Sequence, residues 1–115
     1  MPTTFADKLQ LKPDDKVFLI NAPRSIPPLP AVAKAIDLAD AVVLYAVTER
    51  ELPKHAAAVK SVPPEAQLWI CYPKPGKLDT DLGRDKLWMW MKELGYQGDR
   101  LVQVDDTWAA FSFKR

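Results

Sequence analysis

No glycine occurs before Gly76; the chain has four, and all of them fall in its last third. That excludes a glycine-rich loop after an early strand, where backbone would approach a phosphate or dinucleotide closely. Cysteine is nearly as scarce. Cys71 is the only one, so no intramolecular disulfide framework exists. His55 is the only histidine, and one Cys with one His cannot supply a closed zinc site, which needs four N or S ligands. No metal and no cofactor are expected. The net charge is +1, from 16 basic and 15 acidic residues, which is not the basic footprint of a nucleic-acid binder. No apolar run approaches the roughly 20 residues of a membrane span. The start, MPTTFADKLQL, lacks a basic-then-apolar signal pattern, and a cytoplasmic protein is expected.

What is present reads as one α/β domain over residues 1–115. A short helix is expected over 5–11, with Phe5 and Leu9 inward. Lys16–Asn21 (KVFLIN), Asp40–Val47 (DAVVLYAV) and Gln67–Tyr72 (QLWICY) are short apolar runs of the kind found in strands buried on both faces. Between the first two, Pro23, Pro27, Pro28 and Pro30 make a loop, because proline removes donors and restricts its predecessor. A short helix is expected over 31–36. Thr48 with Glu51 has the spacing of a capping box, ahead of a helix from Pro53 to about Ser61. A longer helix is expected from Asp81 to Leu94, closed by Gly95 at its C′ position. Leu101–Val104 and Thr107–Phe113 read as a hairpin. Alternating strands and helices predict a Rossmann-like three-layer domain, its sheet mostly parallel with a C-terminal antiparallel hairpin strand.

The stretch YPKPGKLDTDLGRDKLW, residues 72–88, invites two readings that fail. A phosphate loop needs an earlier glycine and a Ser or Thr after the lysine, whereas Gly76-Lys77 is followed by Leu78. A calcium loop counted from Asp79 needs glycine at its sixth position and glutamate at its twelfth; Arg84 and Trp90 stand there. The remaining reading is the start of a helix, with Thr80 or Asp81 capping its first turn. Lys74, Lys77 and Arg84 add cations that suit a local anion site.

The segments KVFLINAP, DAVVLYAVTERE, LWICYPK, DTDLGRDKLW and VDDTWAAFSFKR, in this order, resemble a small bacterial family of unassigned function. That family in turn resembles a shortened S-adenosylmethionine-dependent methyltransferase. The resemblance implies an α/β fold, with residues 40–72 on a strand-helix-strand unit and 101–113 on the terminal hairpin. It implies no catalytic residues. The chain departs from methyltransferases where they hold their cofactor: Asn21-Ala22-Pro23-Arg24 replaces the glycine-rich loop, and no strand carries a ribose-binding acid.

Ligands of open parallel sheets bind outside the carboxyl ends of the strands. Those ends carry Asn21 and Arg24, Thr48 and Glu49, Tyr72 and Lys74, and, if the strand over 101–104 is parallel to the others, Asp105 and Asp106, with Thr80 and Asp81 beside them. The 72–88 stretch and the turn before Trp108 are expected to be neighbours. Lys74 or Arg84 would pair with Asp81, Asp105 or Asp106. The cluster would either lock the hairpin to the loop or floor a pocket for a small anionic metabolite, walled by Tyr72 or Trp108. His55 reads as a surface residue and Cys71 as a small core residue.

On the 81–94 helix, Gly83, Leu87, Trp90, Met91 and Leu94 share one stripe, which leaves Met89 nearly opposite and Trp88 at the flank. Trp88 and Met89 are candidates for contact with a protein partner or a second copy of the chain. A non-catalytic binding or interaction module is the expected function. The alternative is a binder of, or enzyme for, an anionic metabolite at the strand-end edge.

Overall fold

The computed structural model describes residues 9, 11–12, 14–21, 31–63, 65–74, 76, 78 and 80–114. The proline loop with Arg24, most of the expected 5–11 helix, Lys77 and Asp79 lie outside the described residues.

Six strands form one sheet: β1 (Lys16–Ile20), β2 (Ala31–Val32), β3 (Ala41–Tyr45), β4 (Gln67–Pro73), β5 (Gln97–Gln103) and β6 (Trp108–Lys114). Their order is β2-β1-β3-β4-β6-β5. β1 runs parallel to β2 and β3, and β3 runs parallel to β4. β6 is antiparallel to both β4 and β5. β3 lies inside the sheet and every residue of it is buried, which is why its sequence is apolar without alternation. Edge strand β5 alternates between exposed and half-buried residues instead.

Two α-helices occur among the described residues: α1 (Ala56–Lys60) and α2 (Arg84–Glu93). Both pack on one face of the sheet. Val59 of α1 and Leu87 and Met91 of α2 join Leu44, Ile70, Tyr72 and Phe113 in one core. On the opposite face, Leu9 and Leu11 meet Val43, Tyr45, Trp69 and Cys71. The Rossmann-like three-layer domain with a mostly parallel sheet is therefore overturned. The sheet is mixed, and the described helices make one layer only. Between β1 and its parallel neighbour β3, the described residues hold only β2 and a 3-10 turn at Ile36–Leu38 where a covering helix was expected. The helix expected over 31–36 is likewise replaced, by β2 and that turn.

The helix expected from Pro53 begins as a 3-10 segment, Glu49–His55, with Pro53 inside it, and becomes α-helical only at Ala56. Its start has the anticipated capping box between Thr48 and Glu51. α2 starts three residues later than expected, with Gly83 rather than Thr80 or Asp81 at its N-cap. It ends as the sequence suggests. Gly95 has a φ of 89°, its amide reaches the Lys92 carbonyl, and the Tyr96 amide reaches that of Met91, each at 3.0 Å. These two bonds form a Schellman motif. The Tyr96 hydroxyl then donates to the Val59 carbonyl at 2.8 Å, tying the end of α2 to α1.

Candidate functional site

The carboxyl ends of β1, β3 and β4 share one edge, and the polar groups there bond chiefly to one another. β1 ends at Asn21, whose φ of 59° is the left-handed conformation that asparagine tolerates better than most residues. Its side-chain amide donates to the Tyr45 carbonyl at 2.9 Å and approaches Glu51 at 3.5 Å. Glu51 accepts the Val47 amide at 2.7 Å, the Thr48 amide at 2.5 Å and the Thr48 hydroxyl at 3.1 Å. Burial alone would raise the Glu51 pKa. The two amides, the hydroxyl and Asn21 outweigh it and hold the carboxyl below its ordinary value.

The 72–88 stretch docks on the same edge. The Thr80 hydroxyl donates to the Val47 carbonyl and accepts the Leu82 amide. One oxygen of Asp81 accepts the Glu49 amide at 2.8 Å. Asp81 thus caps the 3-10 segment that follows β3, not its own helix. Lys86 donates to the Asp81 carbonyl at 2.9 Å and pairs with Glu49 at 3.2 Å. Glu49 was expected at this edge and Glu51 in the capping box with Thr48; Lys86 was not anticipated, because it meets Glu49 across distant segments.

The expected neighbourhood of this stretch and the β5–β6 turn is present, because the Lys74 amide donates to the Thr107 carbonyl at 2.7 Å. The expected ion pairs are not. Among the described residues no pair joins Lys74 or Arg84 to Asp81, Asp105 or Asp106; Arg84 instead approaches Asp85 at 3.7 Å on the exposed start of α2. Asp105 folds back on its own turn, one oxygen accepting the Thr107 and Trp108 amides at 2.8 Å each. Asp106 is exposed.

The two candidate pocket walls, Tyr72 and Trp108, lie on opposite faces of the sheet. Tyr72 belongs to the core under the helices, and Trp108 packs on the other face against Tyr45, ring centroids 5.2 Å apart and nearly perpendicular. Burial raises the pKa of both Tyr72 and Tyr45. Cys71 shares a hydrogen bond with Tyr45, yet burial pushes its thiol up to about 12, so it is no nucleophile at neutral pH. Burial holds His55 below its ordinary value against the pull of Glu51. No group of acids, His and Cys among the described residues could hold a metal ion, and no described helix is long and apolar enough to cross a membrane.

The outward face of α2 differs in kind. Leu87 and Met91 are fully buried, and Trp90 and Leu94 pack against the same core, whereas Trp88 is 45% and Met89 63% exposed. Beside Met89, a cleft of about 270 Å³ is lined by Glu49, Lys86, Trp90 and Glu93. On the other flank, Trp88 reaches over Gly98 of β5, where an added Cβ would lie 3.3 Å from Trp88 and 2.8 Å from Phe111. Phe111 is the cross-strand neighbour of Leu101, itself 39% exposed.

No family model matches the chain, and neither does any curated protein.

Proposed function

We propose that this protein is a non-catalytic interaction module whose working surface is the outward face of α2. The observation that carries this reading is the exposure of two large apolar side chains, Trp88 and Met89, side by side on a helix whose opposite stripe is buried. Adjacent exposed apolar residues of this size, rimmed by charge, mark contact surfaces. The state of the strand-end edge supports the same reading. Asn21, Thr80, Asp81 and Asp105 bond within the protein, which leaves the anionic-metabolite alternative without the paired cluster that would have floored its pocket.

The test is a photo-crosslinking residue placed at position 88 or 89, with Lys60, on an exposed part of α1, as the control. The reading predicts adducts at 88 and 89 only, with a partner that binds the purified wild-type chain and not Met89→Glu. Equal labelling at all three positions, or none at 88 and 89, overturns it.

A further inference from the structure

We infer that the surface on α2 pairs with a second copy of this chain, the two helices packing antiparallel about a two-fold axis that passes between Trp88 and Met89. The inference rests on the reading of α2 as the interaction face. Asp85, Trp88, Met89 and Lys92 are all exposed and lie at the i, i+3, i+4, i+7 spacing of one helical stripe. A two-fold axis at this point sets Trp88 against the partner's Met89 and Asp85 against the partner's Lys92. By symmetry the Asp85–Lys92 pairing is made twice, once at each end of the contact.

The same charges reject the alternatives. Parallel packing sets Asp85 against the partner's Asp85 and Lys92 against the partner's Lys92. An antiparallel register centred on Met89 sets Asp85 against the partner's Glu93 and Lys86 against the partner's Lys92. Like charges placed this way disfavour those arrangements. Within one chain the groups concerned have weak company. Arg84 and Asp85 are 3.7 Å apart with side chains 62% and 89% exposed, and the Lys92 ammonium sits 5.8 Å from the centre of its own Trp88 ring. Exposed contacts of this kind exchange at little cost. Lys86 is engaged by Glu49 at 3.2 Å and by the Asp81 carbonyl at 2.9 Å.

A face of ten helical residues is small against the roughly 1,200 Å² of the smallest stable interfaces, so a weak dimer is expected. The test is sedimentation equilibrium of the purified chain from about 10 µM to about 1 mM. Wild type is expected to dimerise across this range. Asp85→Lys and Lys92→Asp are each expected to weaken the dimer about tenfold, and the double exchange to restore it. Unchanged melting temperatures confirm that the variants fold. A wild type that stays monomeric throughout, or a dimer indifferent to the exchanges, overturns the inference. If the chain is monomeric while position 88 still crosslinks to a different protein, self-pairing fails and α2 remains the interaction face. If neither occurs, both readings fall.

Discussion

The carboxylate of Asp81 accepts the amide of Glu49 at 2.8 Å, so an acid just before one helix caps the 3-10 segment before another. The Asp81 carbonyl takes the Lys86 ammonium, which also holds Glu49. The loop after β4 is thereby fastened to the loop after β3. Polar groups at the strand ends, where open parallel sheets bind ligands, instead hold two connections in register, and the neighbouring helix carries the exposed apolar surface.

Glu51 makes the acid stability of this edge measurable. Its folded carboxyl binds a proton less readily than an unfolded one. Its contribution is therefore fully present above the unfolded value, about 4.3, and is lost as pH falls through the lower folded value. Glu51→Gln is expected to cost about 1 kcal/mol at neutral pH and to reduce the loss of melting temperature between neutral and acid pH. Equal pH dependence in both proteins contradicts the assignment.

Tyr96→Phe removes the donor to the buried Val59 carbonyl while keeping the ring in the core. A cost of about 1 kcal/mol is expected, seen as a fall of roughly 4–8 °C in thermal unfolding. No change would mean that the hydroxyl does not tie α2 to α1.

Gly98→Ala is expected to destabilise the protein by about 1–3 kcal/mol, since the added methyl meets Phe111 at 2.8 Å and Trp88 at 3.3 Å. Chemical denaturation reads the cost. A Trp88→Ala background should leave most of it, because Phe111 makes the closer contact.

Cys71 is fully buried with its thiol pKa near 12. A thiol-specific reagent at pH 8 is expected to leave the folded chain unlabelled and to label it rapidly in denaturant. Fast labelling of the folded protein would expose a reactive thiol that this structure does not contain.

The buried strands were legible because continuous apolar runs such as AVVLY have few alternatives in a chain of this size, and the end of α2 because Gly95 supplies the left-handed residue its last turn needs. The outward position of Met89 followed from helical periodicity. The absence of a helix over 31–36 was not legible: a short β2 and a 3-10 turn take its place, and the pairing of β2 with β1 is a contact that no local pattern reveals. The ion pairs were misassigned for a related reason. Asp105 had the Thr107 and Trp108 amides of its own turn within reach, and a carboxylate in a turn takes those before a distant cation; Asp81 is taken by the amide of Glu49, a tertiary contact. Lys86 and Glu49 meet only because two loops dock, which no spacing along the chain reveals.

The most direct test is a backbone amide chemical-shift map recorded at low and high protein concentration, and again with inorganic phosphate and S-adenosylmethionine added. Concentration-dependent shifts confined to Arg84–Glu93 and the neighbouring Gly98 and Leu101 are predicted, with no ligand-induced change around Asn21, Thr48, Thr80 and Asp105. Ligand-induced shifts centred on those four residues, with α2 unaffected by concentration, would contradict the account.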